Sequence, residues 1–320
     1  MKTSLDKIEE IISNIIISEK DLPLKDETVC TIGNFDGLHI GHKEIIKKLK
    51  EEAQKEGKKS VVITFNPHPK KIFSSDKHIC SITNLETRAY LFAKEGINYV
   101  LVINFDKNFY KKSPEDFLKF LKEKVRCTKI LVGKDWKFGY KKSGDVKLAK
   151  QIGKKLGFEV EEIEPIQIEK HKVSSTEIRS LLKEGKLEEA EKLLGRTFCI
   201  LGKVQEGNKL GQRIGIPTIN IKPPEDFCLK KGVYAGYAII NEKRYPAVIN
   251  YGIRPTVDGK EPVIEVHIIG KFEQKDFNLV KVMFKKFLRP EMKFNSLEDL
   301  TNQIKKDIIQ TKEVLKIEEN

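Results

Sequence analysis

The chain has 320 residues, 39% hydrophobic and 33% charged, and its 60 lysines and arginines outnumber 47 aspartates and glutamates for a formal net charge of +13. That length holds two domains of ordinary size, and the composition suits a soluble globular protein; a membrane span is excluded because no run reaches the ~18 apolar residues it needs. The charge fits nucleic acid or an anionic small molecule as partner, and fits a lysine-rich solvated surface equally well, because the lysines are scattered along the whole chain.

The N-terminal stretch carries Asp6, Glu9 and Glu10, unlike a signal peptide, and Ile8, Ile11, Ile12, Ile15 and Ile16 follow helical spacing. Further on, "TVCTI" (28–32), "SVVITF" (60–65), "NYVLVINF" (98–105), "KILVG" (129–133) and "FEVEEIE" (158–164) are short, β-branched and almost continuously apolar, as strands buried on both faces are. Amphipathic stretches lie between them, such as 42–57 and 113–125, the latter opening with Ser113 as N-cap and Pro114 at the first helical position. The alternation predicts a doubly wound α/β fold, a parallel sheet with helices on both faces and ligands at the carboxyl ends of the strands. The five cysteines, Cys30, Cys80, Cys127, Cys199 and Cys228, include no C-x-x-C pair, so neither zinc nor a disulfide framework is expected, only reduced buried thiols of a cytoplasmic protein.

The first strand runs into "GNFDGLHIGH" (33–42). Its glycines and the helix N-terminus beyond suit close approach to phosphates, and His39 and His42 can donate to oxygens that gain charge as a phosphoryl group is transferred. "HIGH" is a mark of one class of tRNA synthetases and equally of enzymes that move a nucleotide monophosphate from ATP. "TFNPHP" (64–69) ends the next strand, where a substrate-facing loop belongs. "VGKDWKFGYKKSGD" (132–145) is basic and aromatic; Trp136 and Phe138 either stack on a ligand ring or belong to the core. "VSSTEIRS" (173–180) reads as a capping box, Ser174 with Glu177, or as a phosphate site with Ser174, Ser175, Thr176 and Arg179.

Past a helical stretch broken at Gly185 and stopped near Gly195, the texture changes. Strand segments "CILGKVQEG", "GVYAGYAIIN", "KRYPAVINYG", "PVIEVHIIG" and "LVKVMFKKFL" follow with turns between them, which predicts a small antiparallel β-barrel, closed by a C-terminal helix over 297–315 with Ser296 and Asp299 at its start. A domain boundary falls near 185. Within "GNKLGQRIGIPTIN" (207–220), Gly207, Gly211 and Gly215 suit a backbone wrapped around phosphates, or mark barrel corners. Thr218 and Asn220 alternate along an extended segment, so both face one way, as hard oxygen ligands for Mg²⁺ carried by ATP.

The order "GNFDGLHIGH", "TFNPHP", "VGKDWKFG", "VSSTEIR" resembles the adenylyltransferase half of the bacterial bifunctional riboflavin kinase/FAD synthetases. "IPTIN", "NYGIRPT", "EVHIIG" and "FLRPEMKF" resemble their riboflavin kinase half. The resemblance runs from about residue 28 to about 307. It implies a nucleotidyltransferase-like, Rossmann-like domain over 1–184 that adenylylates FMN to FAD, and a riboflavin kinase domain over 185–320 that makes FMN. Substrates and products would be ATP, riboflavin, FMN and FAD, with Mg²⁺ and no tightly bound organic cofactor, no nucleic acid and no membrane. By the same resemblance His39 and His42 contact the ATP phosphates, Asn34, Phe35, Gly37 and Gly41 line the nucleotide pocket, and Glu265 is the general base. Asn66, His68, Asp135, Asn250, Arg254 and Arg289 sit in its flavin or substrate loops. Trp136, Lys142, Ile219 and Gly270 depart from the family pattern. The tRNA-synthetase reading lacks a K-M-S-K-S stretch. Nucleotidyltransferases with other acceptors lack the P-T-x-N barrel, and a polyanion-binding protein has no use for the ordered His, Ser/Thr and Glu motifs.

Overall fold

The computed structural model describes residues 4–69, 72, 80–164, 167–168, 171–205, 215–224, 226–256, 259–272 and 277–317. In chain order the first half gives α1 (Ser4–Ile15), β1 (Ile16–Ile17), β2 (Thr28–Ile32), α2 (Ile40–Lys55), β3 (Lys59–Asn66), α3 (Leu85–Lys94), β4 (Tyr99–Asn104), α4 (Lys107–Tyr110), α5 (Pro114–Glu123) and β5 (Cys127–Gly133). A ribbon of β6 (Lys137–Phe138) and β7 (Gly144–Asp145) leads into α6 (Val146–Leu156) and β8 (Glu159–Ile163), and a second ribbon, β9 (Gln167–Ile168) and β10 (His171–Lys172), follows.

The strands form one parallel six-stranded sheet in the order β1-β4-β3-β2-β5-β8. All five residues of β2 are buried, which explains their unbroken apolar run. Helices cover the sheet with apolar faces at helical spacing: Ile46, Leu49 and Ala53 from α2, and Phe117, Leu118 and Leu121 from α5. Ser113 Oγ accepts from the Asp116 amide at 3.1 Å and fixes the start of α5, with Pro114 behind it, as the sequence predicts. Ile16 departs from expectation. Its spacing continues the α1 stripe, but the helix stops at Ile15, and Ile16 and Ile17 pair with Val100 and Leu101 instead. The open edge of β4 offers backbone partners that a further helical turn would not use. Strand order reverses at β2, since β3 and β4 run off one side of it and β5 and β8 off the other; such a switch point opens a crevice at the carboxyl ends of the strands.

The remainder gives α7 (Ser175–Glu184), α8 (Leu187–Leu194), β11 (Phe198–Gln205), β12 (Ile219–Ile221), β13 (Gly232–Ile240), β14 (Lys243–Thr256), β15 (Gly259–Ile268), β16 (Leu279–Arg289) and α9 (Leu297–Leu315). The six strands close an antiparallel barrel in the order β11-β12-β15-β14-β13-β16. Phe198, Tyr234 and Phe284 fill its interior, with ring centroids 5.4–5.6 Å apart between neighbours. Burial pushes the Tyr234 phenol up, and its hydroxyl donates to the Lys230 carbonyl. Helix α9 begins where the sequence places it, Ser296 Oγ accepting from the Asp299 amide at 3.0 Å, and packs on β13, β14 and β16.

Two compact units emerge. One comprises 9–79 and 88–174, the other 80–87 with 175–320 and the N-terminal 1–8. The short segment 80–87 thus folds with the barrel although it lies between strands of the sheet in sequence. Cys80 and Cys228 are joined by a disulfide, which corrects the expectation of five reduced thiols; Cys30, Cys127 and Cys199 are free and buried. A sequence separation of 148 gives no sign of the pairing. What creates it is the run of Ser81 beside Phe227, with Ser81 N donating to Asp226 O at 2.8 Å and Cys228 N to Ser81 O at 3.1 Å.

Candidate active sites

The loop leaving β2 carries the first site. Gly37 has φ +83°, Phe35 φ +47° and Leu38 φ +39°, so two side-chain-bearing residues occupy the left-handed region. Burial holds them there: Phe35 is 4% and Leu38 0% exposed. The Leu38 amide donates to Phe35 O, and the Gly33 amide to Ile63 O on β3, each at 3.0 Å. His39 is the N-cap of α2, its Nδ1 accepting from the His42 amide at 3.3 Å. A neutral ring that accepts through Nδ1 carries its proton on Nε2, which makes Nε2 the donor. The His39 and His42 rings stack with centroids 3.5 Å apart, and Phe35 meets His42 edge-on at 5.1 Å. A Cβ on Gly41 would come within 3.3 Å of the His39 ring, so the glycine leaves that ring its place. Asn34 Oδ1 is buried and, among the described residues, has no hydrogen-bond partner. Imidazole donors, the amides of a helix N-terminus and bare backbone at Gly37 together make a cradle for phosphate.

Asn66 is the last residue of β3 and exposed, His68 is half-buried two residues on, and Asp135 is exposed just past β5. Trp136 stacks on Phe138 at 4.2 Å and packs against the sheet's core, which favours the core alternative for both rings. Ser174 closes the sheet unit, while Ser175, Thr176 and Arg179 open α7 in the barrel unit. Arg179 Nε donates to Cys80 O at 3.0 Å.

The second site lies inside the barrel unit. Strand register puts Gln205 opposite Asn220, Asn220 opposite Glu265, Glu265 opposite Asn250, Asn250 opposite Val233, and Val233 opposite Arg289. One transverse row therefore crosses all six strands and contains Asn220, Glu265, Asn250 and Arg289. Asn250 Nδ2 donates to Glu265 Oε2 at 3.2 Å. Thr218, two residues before Asn220, lines the same cavity as Glu265, Asn250 and Arg289. Thr218 hydroxyl and Asn220 amide oxygen are hard oxygen donors of the kind Mg²⁺ takes, so the residues present fit that ion. Arg289 is held by Asp307 of α9 in a two-point pair, Nε to Oδ1 at 2.9 Å and Nη2 to Oδ2 at 2.7 Å. Gly215 has φ +75°. Gly207 and Gly211 lie outside the described residues, as does the Arg254 side chain.

Residues 22–177 match the FAD synthetase family and residues 194–315 the riboflavin kinase family. A bifunctional riboflavin kinase/FMN adenylyltransferase of Escherichia coli is 35% identical over 287 residues, 89% of this chain and 92% of its own length. The bifunctional enzyme of Listeria monocytogenes is 35% identical over 283 residues, 87% and 90% of the two lengths. The chain belongs to the bifunctional riboflavin kinase/FMN adenylyltransferase family. It is a transferase of both kinds, the FAD synthetase match falling on the sheet and the riboflavin kinase match on the barrel. A solved structure described as a macrolide-efflux protein from Streptococcus pneumoniae has the same fold, with a TM-score of 0.77 at 30% identity over 93% of this chain and 99% of that one. Among the described residues no helix here is long and apolar enough to cross a membrane.

Two residues at these sites escape a motif reading. Asp307 is 2% exposed and lines the barrel cavity, yet in sequence it is one acid among many on a charged helix. Gln303 four residues earlier donates to its Oδ1 at 3.0 Å, and that spacing was the available signal. Arg88 is 7% exposed beneath the loop after β2, and nothing in "LETRAYLFAK" marks it.

Proposed function

We propose that the barrel site phosphorylates the ribityl hydroxyl of riboflavin and that the loop after β2 binds the ATP whose AMP goes to FMN. The observation that carries the kinase assignment is the row Asn220–Glu265–Asn250, with Thr218 beside it. Glu265 takes the proton from the attacking hydroxyl, and Asn250, donating to Oε2, aims that carboxylate. Thr218 and Asn220 would hold Mg²⁺, which when bound neutralises phosphate charge. At the first site the Nε2 proton of His39, the His42 ring and the amides opening α2 meet the α-phosphate and departing pyrophosphate, and the acceptor phosphate attacks without an enzyme nucleophile. Asn66, His68 and Asp135 facing the flavin, and a cytoplasmic location, complete the reading.

The test is to incubate the protein with riboflavin, ATP and Mg²⁺ and resolve the flavins by chromatography. Wild type should give FMN, then FAD. His42→Ala should lose about 100-fold in FAD formation and keep FMN formation, and Asn220→Ala should do the reverse when FMN is supplied. Equal loss of both activities in either variant would show that the sites are wrongly assigned.

A further inference from the structure

The loop after β2 holds its shape against two unfavourable backbone conformations, at Phe35 and Leu38. Something must fix the segment between β2 and Phe35. Arg88 does so from α3. Its Nη1 donates to the backbone carbonyl of Asn34 at 2.7 Å and to Thr64 Oγ1 at 3.1 Å, and Thr64 Oγ1 itself lies 3.4 Å from that carbonyl. Arg88 is 7% and Thr64 0% exposed, so this is a buried cationic clamp, not a surface pair. Phe92, one helical turn further along α3, meets the Phe35 ring edge-on at 5.8 Å. One face of α3 thus holds the loop at two successive residues, through charge at Asn34 and through packing at Phe35.

Thr64 adds a second consequence. It stands two residues before Asn66, where β3 delivers the chain into the "NPHP" loop. A single guanidinium nitrogen therefore ties the loop that carries His39 and His42 to the strand end that carries Asn66 and His68. A buried positive charge behind the Asn34 peptide also favours anion binding on the loop's amide side. A lysine has the charge but not the planar fork, and an apolar residue leaves the Asn34 carbonyl without this donor.

We propose that Arg88 is a positioning residue for adenylyl transfer, clamping the Asn34 peptide so that His39 and His42 meet the phosphates in register with the β3 exit. The proposal rests on the reading of the loop as the ATP site. The test compares Arg88→Met, Arg88→Lys, Thr64→Val and His42→Ala in the full chain, measuring kcat and KM for ATP in adenylylation of supplied FMN, riboflavin phosphorylation, and thermal melting. Expected for Arg88→Met is a fall of about 10- to 100-fold in adenylylation kcat, the scale of a misplaced catalytic group. Riboflavin phosphorylation should stay within twofold, Arg88→Lys should recover part of the loss, and Thr64→Val in the Arg88→Met background should cost little more. Full adenylylation by Arg88→Met while His42→Ala is inactive would overturn the clamp and leave the site reading intact. An active His42→Ala would overturn the site reading itself. A loss in Arg88→Met that Arg88→Lys does not relieve, with melting lowered alike in both and phosphorylation reduced in proportion, would make Arg88 a structural residue only and also overturn the proposal.

Discussion

Glu265 illustrates how little a side chain's type says about its work. A glutamate on a strand among lysines is by default a solvated salt-bridge partner. Here it faces Asn220 on one side and Asn250 on the other, inside a cavity closed by α9. Its neighbours offer an amide donor and hard oxygens, surroundings that suit the proton acceptor proposed for it. Glu265→Gln preserves the shape and can still accept from Asn250, but cannot take a proton. FMN formation at saturating ATP should fall about 100-fold while the melting temperature stays within a degree or two; near-normal turnover would remove Glu265 as the base. Arg289 makes the complementary point. The resemblance puts it in a substrate loop; it is instead the last residue of β16 and lines the cavity, and both points of its fork go to Asp307, so its visible work is to hold α9 against the barrel.

At the scale of elements, the parallel sheet is anchored at the end opposite its candidate site by Lys129 on β5. Its Nζ lies 2.7 Å from Glu52 of α2, 3.0 Å from Glu56, the C-cap of that helix, and 3.3 Å from Glu159 of β8. The hydrogen bond to Glu52 raises the Lys129 pKa further than burial lowers it. The bond from Lys129 holds Glu52 below its ordinary 4.5, and bonds from Lys58 and then Lys129 do the same for Glu56. The signs fix the window. Carboxylates with depressed folded pKa values contribute stability above about 4.5 and lose it as pH falls through their lowered values; the raised lysine contributes below 10.5 and loses it as pH climbs above that. Between those limits Lys129→Met should lower the melting temperature by at least a few degrees, because it leaves several carboxylates facing one another. As pH falls below about 4.5 the gap between wild type and variant should narrow, closing once the carboxylates' lowered values have been passed. A constant gap from pH 3 to 9 would show that Lys129 acts through packing of its stem alone.

At the scale of the whole molecule, chain order and folding unit part company at 80–87. Asn84 Nδ2 donates to Leu201 O, and the Leu201 amide donates to Thr87 Oγ1, each at 2.8 Å, so the first barrel strand depends on a segment encoded far upstream. We propose that residues 185–320, which hold the entire Glu265 row, carry the kinase chemistry but not all of the unit's stability. A 185–320 fragment should phosphorylate riboflavin at low temperature and melt well below the full chain. Equal melting would show that 80–87 adds nothing to the barrel. The disulfide offers a separate check. Unfolded without reductant, the chain should show three reactive thiols, those of Cys30, Cys127 and Cys199. Reduction, or Cys80→Ser, should cost about 2–4 kcal/mol, and the variant should no longer respond to reductant; five thiols without reductant would rule the bond out.

The sequence by itself determined the longer strands and most helices to within a few residues, because β2 and β3 are buried on both faces and α5 and α9 carry their own caps; the two-residue strands β1, β6, β7, β9 and β10 are too short to carry a pattern. Such signals are local: they need only a residue's neighbours along the chain. It also determined the motif order, since a phosphate loop must follow a strand and precede a helix in the chain itself. Tertiary structure alone decided the rest. The Cys80–Cys228 bond, the seating of 80–87 with the barrel, Arg88 under Asn34 and Asp307 behind Arg289 all join positions whose separation along the chain has no period to betray it. Ile16 marks the limit between the two, since its helical spacing was legible but yielded to an open strand edge that exists only once the sheet has formed.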